Sequence, residues 1–238
     1  MSDFSPSGIF NPDFDFQKQA LQLFKIQSQH NRVYREYLKL IRVNPDEIKT
    51  VEQIPFLPIE VFKTNHLVTE FDFGFNGSKT EFISSGTTGN QSHHFIIPEW
   101  YKQVCLKNFE WFYGKVNSFV ILALLPSYLE QKNSSLVFMM HHLMKAGGNS
   151  MSGFYLNNFD ELIEQLKKLK SSSHKIWLLG VTYALLDLAD ALEKKGMKNF
   201  FSGFENLMLM ETGGMKGRRK EMIRKDVHAV LKEKTGIR

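Results

Sequence analysis

Hydrophobic positions change their spacing along this chain, from a helical period at the start to short apolar runs further on. Within residues 1–50 the apolar side chains recur three or four positions apart. Asp13 or Asp15 is placed to cap a first helix, and Asn44-Pro45 is placed to end a second one. The pattern predicts a helical N-terminal segment over residues 1–50.

From residue 51 to residue 238 short apolar runs alternate with amphipathic stretches. Strands are predicted at 80–83, 95–97, 119–124, 154–155, 175–179 and 207–210. Helices are predicted at 98–113, 135–144, from Asn158 or Asp160 to 170, at 182–195 and in the basic C-terminal stretch. Alternation of this kind favours an α/β fold, with a mostly parallel sheet flanked by helices.

A hydroxyl- and glycine-rich segment follows the first predicted strand. It consists of Ser84, Ser85, Gly86, Thr87, Thr88 and Gly89. On composition alone this is an ordinary surface loop. However, glycines let the backbone approach a ligand closely, and consecutive N–H groups with nearby hydroxyls form an anion-binding concavity. The segment is therefore a candidate phosphate-binding loop.

Two further loops follow predicted strands, at residues 180–183 and 211–214. Ligands of open α/β sheets bind beyond the carboxyl ends of the strands. We therefore expect all three loops to contribute to one site.

These loops and their surroundings resemble a known superfamily. The superfamily is that of the AMP-forming adenylating enzymes, which includes the acyl-CoA synthetases. Its phosphate-binding segment resembles residues 82–89, its acyl-side segment resembles residues 178–186, and its adenosine-binding segment resembles residues 210–219. Residues 54–63 and 212–221 look most like the LuxE-type acyl-protein synthetases and their phenylacetate-CoA-ligase-like relatives. The resemblance extends from about residue 50 to the end.

The resemblance implies part of the large N-terminal domain of an adenylate-forming ligase, with ATP and Mg²⁺ as cofactors. A carboxylic acid, expected to be a fatty acid, would become an acyl-adenylate, and a protein or CoA thiol would then take the acyl group. The implied triphosphate site is residues 84–89, and the implied adenosine site is Thr212, Gly213 and Gly214. Val181 and Tyr183 are assigned to the acyl side. No general base and no protein metal ligand is identified.

The chain also departs from the superfamily pattern. Asn90-Gln91-Ser92-His93-His94 stands where many relatives have a lysine, and no Tyr-Gly-x-Thr-Glu segment precedes Arg238. The expectation is that the chain corresponds to the N-terminal part of a longer enzyme. The alternative is a non-catalytic nucleotide-binding fragment or truncated homologue that acts as a binding module.

Composition indicates a globular cytoplasmic protein. The 238 residues are 42% hydrophobic and 13% aromatic, which is enough for a substantial core. The longest apolar run, 119–125, is far shorter than the roughly 20 residues of a membrane helix, and the N-terminus does not resemble an export signal. The lone Cys105 excludes an internal disulfide and reads as a buried, inert thiol.

The net charge of +5 comes from the C-terminal stretch. Residues 215–238 contain nine Lys or Arg against three Asp or Glu, so the rest of the chain is close to neutral. Because no stacking aromatics accompany these charges, they favour a solvated helix face over a nucleic-acid interface. Lys216 and Arg218 are expected at the start of that helix, within reach of a nucleotide.

Other chemistries lack their motifs. Residues 74–80 miss the Walker A pattern because a serine separates the second glycine from the lysine, and no Gly-x-Ser-x-Gly elbow is present. The pairs His93-His94 and His141-His142 are interpreted as structural or surface residues, since adjacent side chains point to different sides of an element.

Overall fold

The computed structural model describes residues 6–71, 79–84, 90–126, 130–156, 158–215 and 217–237. It divides into two compact units, residues 1–107 and 108–238. The division falls inside one helix, α4 (Pro98–Tyr113). The domain boundary near residue 50 that the sequence indicated stays a prediction.

The N-terminal unit begins with two consecutive helices, α1 (Phe16–His30) and α2 (Arg32–Leu40). The Asp15 side chain caps α1 by accepting a hydrogen bond from the Lys18 N–H at 3.0 Å. Asn31 separates the helices, and its side chain caps α2 through the Tyr34 N–H at 3.1 Å. Phe24, Tyr34 and Leu38 are buried together between these helices and the segment that follows.

The rest of this unit is built from short elements. Three short 3-10 helices lie at Pro6–Phe10, Pro45–Glu47 and Val51–Gln53, and α3 is a single turn at Val61–Thr64. Strands β1 (Thr80–Ile83) and β2 (His93–Ile96) form an antiparallel pair. The sequence predicted both strands, but this pair is a separate two-stranded sheet and not part of the parallel one.

The C-terminal unit contains a parallel four-stranded sheet. Its strands are β3 (Phe119–Leu124), β4 (Gly153–Phe154), β5 (Lys175–Gly180) and β6 (Leu207–Glu211), in the order β4-β3-β5-β6. All six residues of β3 are buried, as expected for a central strand covered on both faces. The predicted α/β fold with a parallel sheet is confirmed.

Four helices accompany this sheet. They are α5 (Ser135–Gly147), α6 (Phe159–Leu169), α7 (Thr182–Lys194) and α8 (Arg224–Thr235), and a further 3-10 turn lies at Val116–Ser118. Asn158, one of the two caps that the sequence predicted for α6, is the observed one. None of the helices in the described ranges is both long and apolar enough to cross a membrane.

An ion-pair cluster joins α8 and the segment before it to α7. The Arg219 guanidinium donates to Asp187 at 2.9 Å and to Asp190 at 2.6 Å, and Lys234 Nζ lies 2.7 Å from both Asp190 and Glu193. Burial opposes ionisation of Asp190, but the hydrogen bonds from Lys234 and Arg219 outweigh it and lower the pKa of that carboxyl. This cluster neutralises part of the basic stretch identified in the sequence.

The last helix begins later than the sequence predicted. We expected the glycine-rich segment after β6 to open it, whereas α8 begins at Arg224. Gly213, Gly214 and Gly217 all have positive φ, which an α-helix does not contain. Arg218 therefore lies in the connection before α8, and Lys216 lies outside the described residues.

Candidate functional site

The ends of β5 and β6 bring two of the three predicted loops together. Gly180 and Glu211, the last residues of these strands, are paired in the parallel register. The Thr212 N–H continues the ladder by donating to the Gly180 carbonyl at 3.1 Å, and the Thr212 hydroxyl donates to the same oxygen at 3.3 Å. Loops 180–183 and 211–214 therefore form one sheet edge.

Glycine at position 180 is explained by packing. A Cβ there would lie 2.9 Å from Leu185 Cγ and 3.0 Å from Leu124 Cβ. The first turn of α7 thus packs directly onto the end of β5 because no side chain intervenes. This close approach fixes where Val181, Thr182 and Tyr183 lie.

The Glu211 side chain connects the two loops at this sheet edge. Its side chain is only 6% exposed, and Oε1 accepts hydrogen bonds from the Thr182 hydroxyl and from the Gly213 N–H, the latter at 2.6 Å. Arg224 Nε lies 3.6 Å from Oε2. From the sequence, Glu211 was expected in the loop 211–214 but had no predicted role of its own. Its position directly before Thr-Gly-Gly could have indicated that it contacts this turn.

The predicted adenosine segment is an open turn. Thr212 and Gly214 are exposed, and Gly213 and Gly214 have φ of +81° and +98°. Among the described residues, the only atom within 4.0 Å of a Cβ built on Gly213 is Glu211 Oε1. The assignment of Thr212, Gly213 and Gly214 to an adenosine stays a prediction.

The two residues assigned to the acyl side are buried. Val181 is 4% exposed and Tyr183 is 5% exposed, and both belong to the start of α7. The Arg218 guanidinium lies over the Tyr183 ring, 4.8 Å from its centroid. Their assignment to an acyl group stays a prediction.

Ser84 follows β1 and belongs to the N-terminal unit. Its N–H donates to the Ser92 carbonyl at 3.0 Å, and its hydroxyl accepts from the Ser92 N–H at 2.8 Å. These two hydrogen bonds between Ser84 and Ser92 extend the β1–β2 pair by one residue beyond Ile83 and His93. Ser85, Gly86, Thr87, Thr88 and Gly89 lie outside the described residues, so the phosphate loop stays a prediction.

The two histidines of β2 have structural partners, and Cys105 of α4 is half-buried. His93 Nδ1 lies 2.7 Å from Glu81 Oε1, and His94 Nε2 lies 3.0 Å from the Ser92 hydroxyl. Burial raises the pKa of the Cys105 thiol, which lowers its reactivity. Over the described ranges no group of three or more His, Cys, Asp or Glu residues could hold a metal ion.

Comparison with known proteins gives a match for the N-terminal part of the chain. Residues 13–99 match a protein-family model. The family is LuxE, the acyl-protein synthetases. The family resemblance predicted from the sequence is confirmed, although the match lies at residues 13–99 and thus includes residues 13–49, which the predicted resemblance left out. The matched segment contains α1 to α3 and the β1–β2 pair. The LuxE match does not reach the turn at 212–214.

The chain is also similar to one curated ligase. A Photorhabdus luminescens protein named long-chain-fatty-acid–luciferin-component ligase is 35% identical to this chain over 75 residues. The match covers 32% of this chain and 61% of that protein. The chain thus spans less than two thirds of this relative.

Proposed function

We propose that this chain takes part in the ATP-dependent, AMP-forming activation of a long-chain fatty acid, followed by transfer of the acyl group to a protein or CoA thiol. The observation that carries the proposal is the match of residues 13–99 to the acyl-protein synthetase family. The name of the Photorhabdus relative, a long-chain-fatty-acid ligase, supports a fatty acid as the substrate class. The proposal includes a cytoplasmic location.

In this proposal Thr212, Gly213 and Gly214 bind the adenosine. Two properties support the assignment. Gly213 and Gly214 have no side chain, so a ligand can come close to their backbone, and among the described residues only Glu211 Oε1 lies within 4.0 Å of the Cβ position of Gly213. Glu211 has a positioning role, because it holds the Gly213 N–H and links the turn to Thr182. The turn is thereby ordered before a nucleotide binds, which reduces the entropy cost of binding.

Ser84 and residues 85–89 bind the triphosphate in this proposal. Glycines and hydroxyl donors suit a polyanion, and Mg²⁺ usually binds through substrate phosphates with one or two carboxylates. ATP would supply the leaving pyrophosphate, and bound Mg²⁺ would neutralise its charge. The contribution of the chain is to hold the acid and the nucleotide in line and to exclude water, which is the larger part of catalysis in such transfers.

Incorporation of labelled pyrophosphate into ATP tests the proposal with the full chain. We expect label in ATP only when Mg²⁺ and tetradecanoate are both present. Thr212→Val should weaken this exchange, whereas Thr64→Val, at an exposed threonine of α3, should leave it unchanged. Exchange that does not depend on the fatty acid contradicts the proposal.

Calorimetry with ATP and Mg²⁺ separates the remaining outcomes. Binding of ATP without exchange contradicts catalysis by this chain and favours the nucleotide-binding module. The absence of both binding and exchange overturns the proposed nucleotide site altogether.

A further inference from the structure

The N-terminal unit contains a cavity of about 650 Å³. Its walls come from α1, from residues 51–57 and 67–71, and from the end of β2 with the start of α4. Most lining side chains are apolar, among them Leu23, Phe24, Leu57, Phe62, Leu67 and Phe95. The cavity lies wholly within residues 16–100 and therefore almost wholly within the segment that matches LuxE.

A space of this size is larger than the gaps that ordinary packing leaves between side chains. Protein interiors are close-packed, and few voids exceed the volume of a water molecule. Side chains that line an empty apolar space lose their dispersion contacts on that side. Pockets that bind small molecules have volumes of roughly 300–1,000 Å³. The volume and the apolar lining therefore indicate an extended apolar ligand.

The polar groups on the wall narrow the choice of ligand. Lys79 is the only charged residue among the described residues that line the cavity. Its ammonium donates to the Thr69 carbonyl at 3.3 Å, and Thr69 Oγ1 accepts from the Asn31 amide at 3.4 Å. The Trp100 indole N–H is buried, with no hydrogen-bond partner among the described residues. An apolar space with one cation suits an amphiphile with one anionic head group.

We propose that this cavity binds the free long-chain monocarboxylic acid, with the hydrocarbon chain inside and the carboxylate at Lys79. The inference rests on the proposed function, because the fatty-acid class comes from the relative's name. Lys79 precedes β1 and Ser84 follows it, so their Cα atoms lie five residue steps, about 17 Å, apart along the strand. An acid bound at Lys79 is therefore the acid before activation, with its carboxylate away from the proposed phosphate loop.

Chain-length dependence tests the apolar part of the site. Calorimetry without nucleotide should show affinity rising about fourfold for each added methylene from octanoate to tetradecanoate. Ala20→Phe places a ring in the cavity from α1 and should weaken binding of tetradecanoate about tenfold or more, with an unchanged or raised melting temperature. Ala229→Phe, the same change at an exposed position of α8, should have no effect on binding.

Lys79→Met tests the head group. It should weaken binding of dodecanoate about tenfold and leave binding of dodecanol unchanged, and Lys18→Met, at an exposed position of α1, should change neither. Equal loss for acid and alcohol overturns the assignment of Lys79. Affinity that is independent of chain length, or unaffected by Ala20→Phe, overturns the cavity as the acyl site.

These results are separable from those on the proposed function. Suppose that pyrophosphate exchange depends on the fatty acid and that Ala20→Phe does not weaken fatty-acid binding. These two results together contradict only the cavity as the acyl site. Chain-length-dependent binding without any exchange supports the cavity and contradicts only the catalytic proposal.

Discussion

The Thr182 hydroxyl donates a hydrogen bond to the Glu211 carboxylate, which joins the first residue of α7 to the last residue of β6. Thr182 is 4% exposed and the Glu211 side chain is 6% exposed, so the pair is shielded from water. The same carboxylate oxygen accepts the Gly213 N–H. One acidic side chain therefore holds both loops of the sheet edge in a fixed arrangement.

Glu211→Ala should destabilise the protein strongly. It leaves the Thr182 hydroxyl and the Gly213 N–H without their acceptor, and an unsatisfied buried donor costs about 1–3 kcal/mol. We expect a loss of about 2–3 kcal/mol in the free energy of unfolding, measured by urea denaturation. Glu211→Gln keeps an oxygen acceptor and should cost less than about 1 kcal/mol. Equal effects of the two variants would show that the acceptor is unimportant.

Gly213→Ala tests whether Gly213 is needed only for the conformation of the turn or also for the proposed binding of ATP. A non-glycine residue at φ of +81° costs about 1–2 kcal/mol. Gly203 has the same φ, and among the described residues a Cβ there meets only Lys170, at 3.7 Å or more, so Gly203→Ala is a matched control. Both variants should lose similar stability in urea denaturation. Only Gly213→Ala should weaken ATP binding, by about tenfold, in calorimetry.

The elements of the fold that could be predicted from the sequence are those whose pattern lies within one short segment of the chain. Strand β3 was predicted with its observed bounds, because a continuous apolar run between turn residues is the pattern of a fully buried parallel strand. The start of α8 was wrong because helical periodicity does not reveal the positive φ of Gly217. The antiparallel pairing of β1 with β2 depends on contacts between strands, which periodicity does not report.

The candidate sites show the same limit. The turn at 212–214 was identifiable because its glycines are adjacent in the sequence. The cavity at Lys79 was not identified, because its lining is scattered between residues 16 and 100 and no local pattern joins Leu23 to Phe95. The contact of Thr182 with Glu211 spans 29 positions and likewise required the folded sheet.

Asp190 should make stability depend on acidity. Its pKa is lowered in the folded protein, so its contribution is present above the unfolded pKa, near 4, and is lost as pH falls through the folded value. The groups are about a third exposed, so we expect a loss of about 1 kcal/mol at neutral pH for Asp190→Asn. Urea denaturation between pH 2 and 7 should show a shallower acid slope in this variant than in the wild-type protein.

Tyr34 should titrate later than an ordinary tyrosine. Burial, with a smaller effect of Tyr37, raises the pKa of Tyr34 to about 12, and its hydroxyl donates to the Pro55 carbonyl at 2.7 Å. Because the folded pKa lies above the unfolded value, its contribution to stability is complete below about pH 10 and is lost as pH rises through the folded value. Tyr34→Phe removes this hydrogen bond and should cost about 1 kcal/mol at pH 7. Ultraviolet titration should show one fewer tyrosine ionising near pH 12 in the variant. A lost transition near pH 10 would contradict the burial of this phenol.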